Sequence, residues 1–104
     1  MKLIGVTSCP SGVAHTYMAA EALETAAKAR GWEAKIETQG AIGIENELTP
    51  ADVESADVVV LTKDIAIKNE ERFAGKKIVR VTVTQAAKQA PEIVAKLESM
   101  LAQA

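Results

Sequence analysis

The chain has one cysteine and one histidine, Cys9 and His15, and both fall in the stretch VTSCPSGVAHT, residues 6–16. A thiolate is a strong nucleophile, and it forms most readily at the start of a helix. Pro10, Ser11 and Gly12 are turn-formers that follow Cys9, and Val13 to Thr16 read as the first turn of a helix. Such a turn aims several backbone N–H groups at one point. With the positive end of the helix dipole they make an anion site that needs no basic side chain. Gly12 lets the backbone curl closely, while Ser11 and Thr16 add hydroxyls. The field that holds a dianion also stabilises a thiolate, so the loop suits both a nucleophilic sulfur and the phosphate it attacks.

Cys9 also has a bland reading, as a buried filler of the kind lone cysteines often are. Its place in a turn between polar residues, at the end of a strand, favours a functional role. His15 is read either as a residue that orients the loop or as a plain helix-end side chain; no orienting Asp or Asn is identified for a Cys-His protease pair. The spacing further separates two phosphate chemistries. A cysteine phosphatase loop has an Arg after five intervening residues, to clamp the phosphate bidentately. Here that position is His15. Hydrolysis should then be slow, and a loop that accepts a phosphoryl group and keeps it is a carrier.

The elements that must position this loop follow from periodicity. KLIGVT (2–7) reads as a buried strand. Residues 13–30 read as a helix packed on a sheet, with Glu21, Glu24, Thr25 and Lys28 on its solvent stripe; Tyr17, Met18, Leu23 and the alanines fill the rest and Gly31 caps the end. WEAKIET (32–38) alternates as a half-exposed strand at a sheet edge. QGAIGIENELT is too irregular for either period and reads as a loop leading to a short helix begun by Thr49 and Pro50. DVVVLT (57–62) reads as a central strand, NEERFAG as a helical turn, KIVRVTV (77–83) as a further strand, and 84–102 as an amphipathic helix restarted or kinked at Pro91. The expected fold is α/β: a single-domain open four-stranded parallel sheet, order 2-1-3-4, with helices on both faces, spanning residues 1–104. Ligands of such sheets bind beyond the carboxyl ends of the strands, near the point where strand order reverses. The Cys9 loop starts there.

Composition narrows the functional classes. At 104 residues, 48% hydrophobic and 25% charged, the chain suits one globular domain. Net charge of −2 and 3% aromatic residues leave neither a phosphate-binding basic surface nor a stacking platform, so no nucleic-acid partner is expected. A lone Cys and a lone His supply no zinc spacing and no internal disulfide, pointing to a reducing compartment, no metal and no cofactor. The longest aliphatic run, VVVL (58–61), is too short to span a bilayer, and the N-terminus lacks a signal-peptide pattern. The expectation is a cytoplasmic protein without direct membrane insertion.

CPSGVAHT followed by YMAAEAL resembles the phosphorylation loop of the IIB component of the fructose-type phosphoenolpyruvate-dependent sugar phosphotransferase system, where C-P-T-G-[IV]-A-H-T is usual. The likeness extends through KIETQGAIGIENELT, DVVVLTKDIAI and ERFAGK, nearly the whole chain. Ser11 replaces Thr and keeps the hydroxyl. The resemblance implies a relay in which a phosphohistidine on a IIA domain passes its phosphoryl group to the IIB cysteine, which gives it to a sugar held by the membrane IIC permease. Cys9 would be the nucleophile and carrier. Pro10, Ser11, Gly12, Val13, Ala14, His15 and Thr16 would form the phosphate cradle, and the protein would sit at the inner membrane only through IIC.

Gln39 and Gly40, in TQG, also match the family and read either as a tight loop or as phosphate contacts. Asp64 either lines the partner surface or caps the next turn. A shared, transient docking rim is expected among Pro10, Val13, Gln39, Ile42, Ile44 and Asp64. The initial Met and uninterrupted domain favour a separate subunit. Two other classes stay open: a small cysteine phosphatase, and a binding module in which Cys9 is incidental.

Overall fold

In chain order the elements are β1 (Lys2–Thr7), α1 (Val13–Lys28), β2 (Glu33–Gly40), β3 (Gly43–Glu45), α2 (Pro50–Ser55), β4 (Val58–Thr62), a 3₁₀ turn (Glu70–Phe73), β5 (Ile78–Val81), α3 (Val83–Lys88) and α4 (Ala90–Ala102). This is a computed structural model, and it describes residues 2–8, 13–40, 43–64 and 67–102.

Alternation along the two central strands divides the core. Leu3, Val58 and Val60 face α1, α3 and α4, while Ile4, Val6, Val59 and Leu61 face α2 and Phe73 of the 3₁₀ turn. Helices therefore cover both faces. At Gly5 the strands leave no room for a side chain: a Cβ there would lie 2.6 Å from the Val60 carbonyl oxygen.

The sheet has five strands in the order β3-β2-β1-β4-β5, and it is mixed. The parallel strands β2, β1, β4 and β5 are neighbours as the expected 2-1-3-4 order required. The expectation of four strands, all parallel, is corrected by β3, which turns back antiparallel on β2 with Gln39 opposite Ile44 and Gly40 opposite Gly43. Three residues are too few to show a period, so this segment read as loop.

That strand also corrects the reading of WEAKIET as a sheet edge. β2 lies between β1 and β3, and Glu37, expected on a half-exposed face, is fully buried. Met18 departs in the other direction. It lies outside the expected solvent stripe of α1 yet is 57% exposed, whereas Ala19, Ala20, Leu23, Ala26 and Ala27 are buried.

The helix ends follow local rules. α1 closes in a Schellman motif: the Trp32 N–H donates to the Ala27 carbonyl at 3.1 Å and the Gly31 N–H to that of Lys28 at 2.9 Å, with Gly31 at φ +78°. Thr49 and Asp52 form a capping box on α2. Thr82 and Gln85 form another on α3, which takes Thr82 and Val83 out of the strand expected over 77–83. The expected terminal helix splits at Gln89, and Pro91 lies in the first turn of α4, where a missing N–H costs nothing.

Candidate functional site

β1, β2 and β4 end together at the carboxyl edge of the sheet, and their last side chains are hydroxyls and an amide rather than aliphatics. Ser8 follows β1 and is buried. Its backbone N–H donates to Thr62 Oγ1 at 3.0 Å, its carbonyl accepts from the same hydroxyl at 3.2 Å, and its own Oγ donates to the Gln39 carbonyl at 2.8 Å. Thr7 Oγ1 donates to the Thr16 carbonyl at 3.0 Å, tying the end of β1 to the first turns of α1. The chain thus leaves the sheet toward Cys9 from a residue fixed on both sides.

α1 begins at Val13 with no acidic residue in its first turn. Its leading N–H groups have no carbonyl within the helix to accept them, which suits an anion. Thr16 is fully buried, and its Oγ1 has no hydrogen-bond partner among the described residues. His15, in the same turn, is exposed. One turn on, the Tyr17 hydroxyl donates to the Glu45 carboxylate, joining α1 to β3; that bond holds the phenol above its ordinary pKa.

Next to this edge lies a buried polar network. The Arg72 guanidinium donates to both oxygens of Glu37, at 2.9 and 2.7 Å, and lies 4.8 Å from the centroid of the Phe73 ring. Gln39 Nε2 and the Leu48 N–H supply two further donors, at 2.8 and 2.9 Å. Burial pushes the Glu37 carboxyl up, but the Arg72 pair and these two donors outweigh it and hold the group below its ordinary value.

Gln39 has its whole carboxamide engaged. Beyond the bond to Glu37, Nε2 donates to the Lys68 carbonyl at 3.1 Å and Oε1 accepts from the Lys68 N–H at 2.9 Å. Its side chain acts as a clamp on the segment after β4, and Gly40 closes β2. Asp64 reaches α3, where its Oδ1 accepts from the Val83 N–H at 2.7 Å. Ile44 stands 38% exposed on β3.

Cys9, Pro10, Ser11, Gly12 and Ile42 lie outside the described residues; Val13 and Ala14 begin α1. Among the described residues no group of three or more His, Cys, Asp and Glu side chains is arranged to hold a metal ion.

A family model described as "PTS system, Lactose/Cellobiose specific IIB subunit" matches residues 4–96. The chain belongs to the phosphotransferase system IIB family. It is 71% identical over 102 residues to the "PTS system fructose-like EIIB component 2" of Escherichia coli (strain K12), covering 98% of this chain and 96% of the relative. It is 44% identical over 101 residues to "PTS system fructose-like EIIB component 1" of the same strain, covering 97% and 94%. A solution structure of the Enzyme IIB subunit of the PTS system from Escherichia coli K12 superposes with a TM-score of 0.92 at 43% identity, covering 98% of this chain and 94% of that one.

The sequence of this IIB chain pointed to Cys9 and the residues after it but not to Ser8, Thr62 and Arg72. Thr62 and Ser8 had one available signal: Thr62 is the hydroxyl residue that ends the apolar run VVVL, and Ser8 is a hydroxyl residue just past the end of β1. Arg72 had none, because its partner Glu37 lies 35 positions away and read as solvent-facing.

Proposed function

We propose that this IIB chain, as one domain over residues 1–104, carries a phosphoryl group on Cys9 between a IIA phosphohistidine and a fructose-like sugar held by a membrane IIC permease. IIB components are phosphotransferase components, and the phosphatase reading is not favoured. The observation that carries the proposal is the 71% identity, end to end, with a fructose-like EIIB component. The framing of Ser8 supports the assignment of Cys9, one peptide bond further on.

In the first transfer the Cys9 thiolate attacks phosphorus. The S–P bond forms as the N–P bond breaks, and the electron pair returns to the donor imidazole. In the second, a sugar hydroxyl oxygen attacks, the S–P bond breaks and the thiolate is regenerated, with the hydroxyl proton passing to a base. Backbone N–H groups of Ser11 to His15, with the Ser11 and Thr16 hydroxyls, would hold the phosphoryl oxygens through both steps. The buried Thr16 Oγ1, without a partner among the described residues, is consistent with that duty.

Gln39 is better read as a loop clamp than as a phosphate contact, since its amide is engaged within the fold. Ile44 and Asp64, with Pro10, Val13 and Ile42, are proposed as the rim that IIA and IIC share. No helix among the described residues is long and apolar enough to cross a membrane, which fits a cytoplasmic carrier that meets the membrane only through IIC.

Intact mass after incubation with phosphoenolpyruvate, enzyme I, the phosphocarrier HPr and a fructose-family IIA domain tests the proposal. One added phosphoryl group is expected on the wild type and none on Cys9→Ser. No addition with a proven donor, or equal addition to both proteins, would overturn it.

A further inference from the structure

The β1–β4 ladder ends at the pair Val6–Leu61, and the β1–β2 ladder at Thr7–Thr38. Ser8 lies past both, yet it is buried and three hydrogen bonds hold it, each made through a side-chain hydroxyl. Two of the three go to one atom, Thr62 Oγ1.

Thr62 ends a strand whose other members, Val58 to Leu61, are all apolar, and Val would fill the same space with similar β propensity. A hydroxyl there is justified by what it bonds: the N–H and the carbonyl of the residue that precedes Cys9, whose Cα stands about 3.8 Å further along the chain. Both bonds are neutral. An ammonium or carboxylate could hold the backbone more strongly, but it would place a full charge close to a sulfur that must alternate between thiolate and phosphorylated forms.

We propose that Thr62 is a positioning residue for phosphoryl transfer, setting the place of the Cys9 sulfur through its paired bonds to the Ser8 backbone. This rests on the reading of Cys9 as the carrier. The new S–P bond must form in line with the N–P bond that breaks, and a misplacement of about 1 Å costs on the order of 100-fold in rate. Without the hydroxyl, the exit from β1 keeps only the Ser8–Gln39 bond on one side. Ser8, the last described residue before Cys9, is then held on one side only.

The test measures the rate of phosphoryl uptake from the phosphoenolpyruvate, enzyme I, HPr and IIA chain for wild type, Thr62→Val and Thr62→Ser. The pH midpoint of Cys9 alkylation by iodoacetamide and the thermal unfolding of each protein are followed in parallel. Thr62→Val is expected to take up phosphoryl groups roughly 10- to 100-fold more slowly. Its alkylation midpoint should move toward that of a free thiol, and Thr62→Ser should restore most of both.

A Thr62→Val protein with wild-type rate and midpoint, whatever its thermal stability, overturns the proposal, as does a Thr62→Ser protein slowed as much as the Val variant. Should Thr62→Val not fold, Thr62→Ala, which removes the same two bonds with a smaller side chain, is expected to slow uptake to a similar extent with the midpoint displaced the same way. An unchanged rate there would also overturn it. If the wild type takes up no phosphoryl group, or Cys9→Ser takes up as much, the reading of Cys9 has failed and the role of Thr62 falls with it.

Discussion

The two ends of the sheet are finished by different chemistry. At the amino end the polar groups are charged and reach water: Lys2 Nζ lies 3.1 Å from Asp52 Oδ1, Lys35 Nζ lies 2.8 Å from Asp52 Oδ2, and Asp57 accepts the Lys2 backbone N–H. At the carboxyl end, where Cys9 follows, Ser8, Thr62, Gln39 and Thr7 are neutral, and all four are buried. Two ion pairs lie near this end among the described residues, the buried bidentate Glu37–Arg72 pair and the exposed Arg80–Glu70 pair, and neither carries net charge. The residue that precedes Cys9 in the chain is thus held by neutral hydroxyl and amide groups, whereas the amino end is tied by ionised ones.

The largest effect expected from breaking this contrast is at Arg72. Arg72→Met keeps much of the aliphatic stem but removes the guanidinium beside Phe73 and strips Glu37 of its cation, leaving a fully buried carboxylate with only two neutral donors. Orphaning a buried charge in this way costs about 3–5 kcal/mol. Urea unfolding of the variant should show a loss of that order. A loss near that of an exposed pair would mean that the network does not bind Leu48 and the segment after β4 to β2.

The same pair predicts a pH dependence. The Glu37 carboxyl is held below its ordinary value in the folded state, so the unfolded chain takes up this proton first as the solution is acidified. Its contribution to stability is complete above the ordinary carboxylate range and is lost as pH falls through the lowered folded value. Wild type should therefore lose stability over that acidic interval. Glu37→Gln, less stable near neutrality, should lose less on acidification. Parallel profiles of unfolding free energy against pH for the two proteins would remove Glu37 from the account.

Why the carboxyl end was partly legible in the sequence, and partly not, follows from how far apart the interacting residues lie. The Cys9 loop combines residue types with local rules: a strand end, turn-formers and a helix start within a dozen positions. The caps at Gly31 and Thr49 are local in the same sense, and both formed as the residues implied. The division of the last helical segment at Gln89 is local too, because Pro91 can open a helix but not continue one.

What the sequence hid is non-local. Glu37 sits in the alternation Glu33, Lys35, Glu37, a pattern of solvent exposure; its carboxylate is instead met by Arg72, Gln39 and the Leu48 N–H. β3 is too short to announce itself, and Thr82 fits a strand as readily as a cap. Gln39 matched a family motif, which drew attention to phosphate, but its amide is occupied by Lys68 and Glu37. Thr62 reads as one more β-branched strand residue until Ser8, 54 positions earlier, is placed beside it.

The amino end should give the smallest effect and a different kind of response. Asp52→Asn removes the charge that meets Lys2 and Lys35 but leaves an amide oxygen able to accept the Thr49 N–H in the capping box. These pairs are half-buried and still reach water; solvent-accessible pairs are worth about 0.2–1 kcal/mol each, and salt screens them over a distance of about 8 Å at physiological ionic strength. The Asp52→Asn loss should therefore be modest at low salt and shrink toward zero as salt is raised. The Arg72→Met loss should persist, because Glu37 is shut away from the ions that would screen it. Measuring both variants at low and high salt thus compares the two ends directly. Equal salt sensitivity would mean that the carboxyl end is held by exposed charge after all, and the neutral framing of Cys9 would lose its physical basis.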